Sequence, residues 1–238
     1  MKRRLKINGV IMFLAFAAVA FSPRLFFRCE RFNYSDMITE VLGISFVLLG
    51  QIFRASARGF KSEHSHSGHE LIQKGPYAFV RNPMYLGILL IGLGIALELF
   101  KWWVVVLFLF VFFLRYVMLI FKEEKKLLAA FPAEYPAYMK SVPRIFPSAR
   151  HILSTDASEY LPLKISWIKK EIGSISAVLL VILALEFWKD VQHKGLTGYF
   201  KEVTLIVITL ILFLFFAFYL IKKTGNIKND ISNKSKTN

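Results

Sequence analysis

The sequence predicts an all-α protein, a polytopic bundle of about six transmembrane helices. Hydrophobic residues make up 55% of the 238 residues, the mean hydropathy is +0.50, and the apolar residues form long runs separated by basic segments. A helix needs about 20 apolar residues to cross the hydrocarbon of a bilayer. The net charge of +15 indicates contact with a membrane and no role in nucleic-acid binding, because the basic residues lie between apolar runs and do not alternate with aromatics along one surface.

Six apolar segments are the expected spans. Their residues are 7–21, 38–53, 84–100, 102–121, 172–188 and 203–221. The last four are long enough to span, whereas the first two are short. The first also has a rival interpretation, because the basic residues before it and Ala18-Val19-Ala20 at its end resemble a secretory signal peptide. The single cysteine, Cys29, excludes an intrachain disulfide and a thiolate zinc cluster.

These spans divide the chain into four parts. We expect two N-terminal transmembrane helices, a core made of a loop, a transmembrane hairpin and an amphipathic segment, then a linker with two additional transmembrane helices, and a disordered polar tail. The corresponding residues are 1–60, 61–147, 148–221 and 222–238.

The distribution of basic residues predicts how the chain is oriented. Alternate connections and the two termini hold 23 Lys and Arg residues on one side of the membrane, against seven on the other. Because positive charge is retained on the cytoplasmic side, both termini and the polar loops are expected in the cytoplasm. Only the neighbourhood of Lys101 joins the third and fourth spans, so they must form an antiparallel hairpin. Arg81 and Glu123, at its two cytoplasmic ends, are therefore expected to be neighbours.

The loop before the third span is rich in polar side chains. Gly75-Pro76 is a turn signal, and Pro83 suits the first position of a helix. Free amides at that helix start favour an anion, and the planar donor fork of Arg81 suits a carboxylate. The alternative is that Arg81 anchors the helix at the lipid headgroups. The nearby histidines, His64, His66 and His69, lack an ordered spacing and a cysteine, so no metal site is predicted.

Two carboxylates, Glu123 and Glu124, follow the fourth span. A surface helix with ion pairs between neighbouring turns would explain them. Their position opposite Arg81 favours a second interpretation, in which they bind ribose hydroxyls or an ammonium group of a cofactor. Arg115, inside the fourth span, either extends to the membrane surface or meets an anionic substrate headgroup. No glycine-rich loop follows a strand, so a soluble nucleotide-binding domain is not expected.

The segment from about His69 to Pro147 resembles the isoprenylcysteine carboxyl methyltransferase family and its relatives, the membrane phospholipid methyltransferases. Three blocks carry the resemblance: His69-Glu70-Leu71-Ile72 with Gly75-Pro76-Tyr77, then Arg81-Asn82-Pro83-Met84-Tyr85, then Glu123 with Phe131, Tyr135, Tyr138 and Val142-Pro143. The resemblance implies methyl transfer from S-adenosylmethionine to a lipid or lipidated substrate. It also implies cofactor contacts by His69, Glu70, Leu71, Ile72, Tyr77, Asn82, Pro83, Met84, Tyr85 and Glu123.

Two positions depart from the family pattern. Asn82 stands where relatives often have histidine, and Leu119 stands where the carboxyl methyltransferases have a substrate-contacting arginine. Arg115, one turn earlier, is the candidate replacement. A carboxylate acceptor is already ionised at neutral pH, whereas an amine must lose a proton to a base, for which Glu124 is the nearby candidate.

Arg81, Arg115 and Glu124 are thus the expected catalytic residues. The acceptor stays open between an isoprenylated cysteine carboxylate, a phospholipid amine and another lipophile. A noncatalytic membrane scaffold or transport accessory protein is the alternative from a different class.

Overall fold

The computed structural model describes residues 22–28, 34–65, 70–147, 157–193 and 199–236. Within these ranges the chain is helical and contains no strand, which confirms the all-α class. The helices are α1 (Pro23–Phe26), α2 (Tyr34–His64), α3 (Pro76–Phe79), α4 (Pro83–Leu99), α5 (Trp102–Ala130), α6 (Tyr135–Ser141), α7 (Ala157–Tyr160), α8 (Ile165–His193) and α9 (Tyr199–Lys236).

The predicted spans correspond to the long helices. The second to sixth spans lie within α2, α4, α5, α8 and α9 to within one residue, and the first lies outside the described residues. Three described stretches are long and apolar enough to cross a membrane: Met37–His64, Trp102–Ala130 and Val207–Gly225. Helix α4 is also apolar but has only 17 residues. Helix α8 contains the fifth expected span and is not among the three.

Two helices continue well past the apolar runs that predict them. Helix α2 has 31 residues and ends at His64, about three turns beyond the expected end of its span at residue 53. Its last turns are polar in composition, yet Phe53, Ala57 and Phe60 recur at helical spacing and two of them are buried. Helix α5 has 29 residues and continues to Ala130, because no helix-breaking residue precedes the Phe131-Pro132 pair.

Glycines bring α2 and α4 into direct backbone contact. A Cβ atom on Gly50 would lie 2.6 Å from the carbonyl oxygen of Gly87, and one on Gly94 would lie 2.4 Å from the carbonyl oxygen of Gly43. Small residues at such positions let two helices approach more closely than side chains normally allow. The two contacts are seven residues apart on each helix, so α2 and α4 form one antiparallel wall.

The hairpin of α4 and α5 is closed at the end far from Arg81. The backbone amide of Lys101 donates to the carbonyl oxygen of Phe26 (3.0 Å), and that of Arg28 donates to Leu99 (3.1 Å). The ring of Phe27 stacks on Phe100 at 5.3 Å. The short connection forms the antiparallel hairpin that the sequence predicts, and residues 22–28 hold its turn in place.

The C-terminal part of the chain packs on α2. Trp167 at the start of α8 and Leu220 of α9 are buried, and the Thr224 hydroxyl accepts a hydrogen bond from the Leu163 amide at 3.3 Å. Helix α9 is described as far as Lys236, and the expected disorder of residues 222–238 stays a prediction. No proline interrupts this polar segment, so nothing in it ends the helix that the preceding span begins.

We expect Gly50→Ala to destabilise the protein, because the added methyl group meets backbone atoms of α4 that cannot move independently. Overpacking of this kind costs about 1–3 kcal/mol. Thermal unfolding in detergent measures the effect. Gly225→Ala is the matched control, since a Cβ there has no atom within 4 Å. Equal unfolding temperatures for the two variants would contradict the close contact.

Candidate active site

A cavity of about 410 Å³ lies where the ends of α2 and α5 meet the start of α4. This volume is in the range of pockets that hold small-molecule ligands. Its walls combine charged, aromatic and aliphatic side chains. The lining residues are Lys61, Ser65, Glu70, Leu71, Ile72, Tyr77, Arg81, Asn82, Pro83, Met84, Tyr85, Ile88, Glu123, Leu127, Phe131 and Tyr138.

The cavity gathers most of the residues that the sequence singles out. Nine of the ten expected cofactor residues line it, namely Glu70, Leu71, Ile72, Tyr77, Asn82, Pro83, Met84, Tyr85 and Glu123. The tenth, His69, lies outside the described residues. Arg81 also lines the cavity, so the predicted proximity of Arg81 and Glu123 is confirmed. The roles assigned to these residues stay predictions.

Two expected catalytic residues do not line this cavity. Arg115 is exposed on the surface of α5, and its role stays a prediction. Glu124 is only 6% exposed and faces away from the cavity towards arginine side chains. Consecutive residues on a helix point about 100° apart, so the side chains of Glu123 and Glu124 have different neighbours.

The Glu124 carboxylate is held between two guanidinium groups. Arg144 donates from Nε to both oxygens at 3.1 Å and from Nη2 at 2.9 Å, and Arg81 Nη2 lies 3.5 Å from Oε1. The Arg144 guanidinium also lies 4.4 Å from the centre of the Phe121 ring. Both oxygens of this buried carboxylate are engaged by arginine side chains, so the geometry supports a structural role for Glu124.

Arg81 has donors that the protein does not use. Its side chain is 8% exposed, and the Nε and Nη1 atoms are buried with no hydrogen-bond partner. A buried donor left unsatisfied costs about 1–3 kcal/mol, and more for a charged group. Arg81 also lines the cavity, so these unpartnered donors belong to a side chain of its wall.

Glu123 is positioned by an aromatic side chain from α4. The Tyr85 hydroxyl donates to Glu123 Oε2 at 2.8 Å, and the Tyr85 ring packs on Tyr116 at 5.5 Å. The rings therefore fix the hydroxyl, and the hydroxyl fixes the carboxylate. Glu123 is half-buried, so it is accessible to a ligand while its orientation is restrained.

Backbone contacts fix the Arg81 segment against residues 142–147. The Arg81 amide donates to the Pro143 carbonyl oxygen at 2.8 Å, and Asn82 Nδ2 donates to the Arg144 carbonyl oxygen at 3.1 Å. Asn82 precedes α4 but does not cap it with its side chain. It instead joins the start of α4 to Arg144.

Tyrosine hydroxyls hold α3 in the cavity wall. The Tyr138 hydroxyl donates to the Tyr77 carbonyl oxygen at 2.7 Å, and the Tyr77 hydroxyl donates to the Ala57 carbonyl oxygen at 3.5 Å. Burial raises the pKa of both tyrosines, and the nearby Glu123 charge raises the pKa of Tyr77 further. Both hydroxyls are therefore protonated donors at neutral pH.

Sequence reasoning missed Lys61 and Ser65, which reach the cavity from the last turns of α2. The expected span ends at residue 53 because hydropathy does not register a polar helix with one buried face. The helical spacing of Phe53, Ala57 and Phe60 is the signal that extends it. No pattern in the sequence indicated a role for Arg144, because it pairs with Glu124 across an irregular segment.

Comparison with known proteins identifies a family and two curated relatives that the chain resembles. Residues 32–134 match the model of the phospholipid methyltransferase family. The resemblance to these membrane methyltransferases is confirmed. A protein-S-isoprenylcysteine O-methyltransferase of Saccharomyces cerevisiae is 34% identical over 128 residues, which cover 50% of this chain and 54% of that protein. One from Schizosaccharomyces pombe is 30% identical over 133 residues, covering 50% of this chain and 56% of that protein.

The matches cover only part of this chain and only part of the two relatives. The chain spans about half the length of the curated relatives it matches, and α8 and α9 lie beyond the residues of the family model. No solved structure matches the chain significantly. The family match and the three long apolar helices together identify a membrane protein.

Glu124→Gln should lower the stability of the protein much more than Glu123→Gln does. Removing the charge at residue 124 leaves Arg81 and Arg144 without their anionic partner, and breaking a buried ion pair costs about 3 kcal/mol or more. Glu123 is half-buried and contributes little to packing. Thermal unfolding of the two variants in detergent makes the comparison. Equal losses would show that the two carboxylates are not distinct in role.

The stability of the protein should fall as the pH rises above about 10, the ordinary pKa of tyrosine. Unfolded Tyr77 and Tyr138 then lose protons that the folded state keeps, because their folded pKa values are raised. The unfolded state binds fewer protons, so it is favoured. Unfolding temperatures at pH 8 and pH 11 test this. Tyr138→Phe should weaken the dependence, and an unchanged slope would contradict it.

Proposed function

We propose that this protein is a membrane methyltransferase that transfers a methyl group from S-adenosylmethionine to a lipophilic substrate, with an isoprenylated cysteine carboxylate as the preferred acceptor. The observation that carries the proposal is the buried Arg81, whose Nε and Nη1 lack a partner beside a cavity that Glu123 also lines. The proposal assigns the chemistry to residues 61–147.

The side chains of the cavity fit the polar groups of the donor. S-adenosylmethionine carries a carboxylate, an ammonium group and ribose hydroxyls. Arg81 offers donors suited to the carboxylate, while Glu123 and Glu70 offer acceptors for the ammonium group or the hydroxyls. Leu71, Ile72 and Met84 supply apolar surface for the rest of the molecule. Opposite charges on facing walls would also orient the donor within the cavity.

The main contribution of the protein is orientation. When bound, S-adenosylmethionine supplies an electrophilic methyl group on a sulfonium, and its transfer to a carboxylate turns two opposite charges into neutral products. Such a displacement requires no covalent bond to the enzyme and is accelerated mainly by holding the reacting atoms in line. The restraints on Glu123 by Tyr85 and on Arg81 by Glu124 provide that fixed geometry. Ile88, Leu127 and Phe131 make part of the wall apolar, which limits water.

The contacts of Glu124 bear on the choice of acceptor. An amine acceptor would need a base, and the expected base is committed to Arg81 and Arg144. A carboxylate acceptor is already ionised and needs none. The two curated relatives are isoprenylcysteine methyltransferases, which supports the same choice. The family model is described as phospholipid methyltransferase, so a phospholipid amine is the second candidate.

The proposal also assigns a side of the membrane. The cavity lies at the end of the α4–α5 hairpin where the basic connections converge, and the excess of Lys and Arg there favours the cytoplasm. Both termini are then cytoplasmic as well. A lipid or lipidated substrate would keep its chain in the bilayer while its polar end reaches the cavity.

Transfer of labelled methyl groups tests the function. Purified protein in detergent receives labelled S-adenosylmethionine and either N-acetyl-S-farnesylcysteine or phosphatidylethanolamine. Label in the farnesylcysteine ester supports the proposal, and label in the lipid headgroup supports the second candidate. If titration shows no donor binding at millimolar concentration, the enzyme hypothesis fails and a noncatalytic scaffold becomes the better account.

Glu123→Gln should weaken donor binding by about tenfold to a hundredfold, because a hydrogen bond to a charged group contributes about 1.5–3 kcal/mol. Titration calorimetry with S-adenosylmethionine measures the affinity. Glu134→Gln is the matched control, since Glu134 is exposed and does not line the cavity. An unchanged affinity for Glu123→Gln, with wild-type binding intact, would remove Glu123 from the donor site.

A further inference from the structure

Residues 157–171, here called the C-terminal clasp, lie beyond the part of the chain that matches the family model. They comprise α7 and the first two turns of α8. The clasp packs against the last turns of α2, the same turns that carry Lys61 and Ser65 to the cavity. The contacts of the clasp with α2 and α3 bear on the cavity walls.

The central contact is between an indole ring and a glycine. Trp167 is 2% exposed and lies directly on Gly59 of α2, where an added Cβ atom would come within 2.1 Å of the ring. Only glycine permits this approach. Gly59 lies inside a helix, where glycine is otherwise unfavourable, so the ring contact is the feature that accounts for it.

Polar contacts surround the indole. Trp167 Nε1 donates to Glu63 Oε1 at 2.7 Å, and Lys164 forms an ion pair with the other oxygen of Glu63. The Lys164 ammonium also lies 4.8 Å from the centre of the Trp167 ring. One carboxylate of α2 thus binds two side chains of the clasp.

Further contacts extend this interface along α2. Arg58 Nη1 lies 2.7 Å from Glu171 Oε1, and the Ser56 hydroxyl donates to the Pro162 carbonyl oxygen at 2.7 Å. Glu171 is 6% exposed. The clasp therefore follows about two turns of α2, with directional contacts that fix its register.

Aromatic rings connect the clasp to the cavity wall. Trp167 meets Phe60 edge to face at 6.5 Å, and the Phe60 ring covers Gly75, where a Cβ atom would lie 2.8 Å away. Gly75 has a positive φ of 59° and begins the turn into α3, which carries Tyr77. The Tyr160 ring of the clasp lies 5.1 Å from Phe79 at the other end of α3.

We propose that the C-terminal clasp positions the donor cavity, by holding the end of α2 and the α3 turn together so that Lys61, Ser65 and Tyr77 stay in its walls. The proposal rests on the proposed function, since it treats the cavity as the donor site. Trp167 and Glu63 are positioning residues, because they act on the cavity through α2 and Phe60. The C-terminal extension is thereby a part of the binding machinery and more than an additional membrane anchor.

Gly59→Ala is the sharpest test, with Gly173→Ala in α8 as the matched control. The methyl group at residue 59 must displace Trp167, whereas a Cβ at residue 173 meets no atom within 4 Å. Both changes improve helix propensity equally, so the two variants differ only in their effect on the contact between Trp167 and α2. We expect Gly59→Ala to weaken S-adenosylmethionine binding at least about tenfold and Gly173→Ala to leave it unchanged.

Amide hydrogen exchange provides a readout that does not depend on the donor. In Gly59→Ala the amides of residues 59–65 and 75–80 should exchange faster, while those of α4 and α5 stay protected. A merely stabilising contact would instead raise exchange throughout the bundle. Should Gly59→Ala fail to fold, the pair Glu63→Lys and Lys164→Glu replaces it. Each alone should weaken donor binding, and the double charge reversal should restore it in part, because it restores the ion pair while a lysine at residue 63 cannot accept the Trp167 hydrogen bond.

The outcomes separate the two proposals. If wild-type protein does not bind the donor, the proposed function fails, while the exchange data still show whether the clasp holds α2 and α3. If wild-type protein binds the donor but Gly59→Ala matches Gly173→Ala in affinity and exchange, the proposal for the clasp is overturned and the proposed function stands. Weaker binding with exchange confined to the two segments supports both.

Discussion

The carboxylate of Glu124, held between Arg81 and Arg144, is the interaction on which the site depends. It joins three stretches that are distant in sequence: the end of α5, the turn before α4 and the irregular segment after α6. Helix α5 is fixed at its other end by the hairpin turn, so this contact determines where its last turns lie. Glu123, the next residue round the helix, is thereby directed into the cavity. A carboxylate held by two arginines and one that lines the cavity are thus adjacent in the chain.

The glycine contacts between α2 and α4 give this arrangement a rigid base. Because the two backbones touch at Gly43 with Gly94 and at Gly50 with Gly87, the helices cannot slide or rotate against each other without a clash. The cavity is consequently built on one fixed wall, and the elements on its other sides are attached by hydrogen bonds and ion pairs. Small movements that admit a ligand would come from α3, α6 and the end of α5, since these lack glycine-to-backbone contacts.

The order of the spans and the hairpin could be predicted from hydropathy and loop length, because both follow from the fixed thickness of a bilayer. The proximity of Arg81 to Glu123 followed from the hairpin alone. The partner of Glu124 could not be predicted, since Arg144 reaches it across an irregular segment whose path has no periodic signal. Lys61 and Ser65 were missed for a different reason: average hydropathy measures composition, whereas the last turns of α2 are helical through one buried face. The packing of α8 on α2 depends on Gly59, whose ring contact is visible only in three dimensions.

The helices differ in length, and this difference bears on how the proposed lipid substrate and the water-soluble donor would meet. At 1.5 Å per residue, the 17 residues of α4 extend about 26 Å, while the 31 residues of α2 and the 29 of α5 extend about 46 Å and 44 Å. The hydrocarbon of a bilayer is about 30 Å thick, so α4 is only just long enough to cross it, whereas its two neighbours extend past the boundary. Asn82 and Pro83, at the start of α4, therefore lie near headgroup depth, at the bottom of a recess between the longer helices α2 and α5. In the proposed function, the lipid chain of the substrate would enter this recess sideways from the membrane and the water-soluble donor would enter it from the aqueous side, so that neither would have to leave its own solvent.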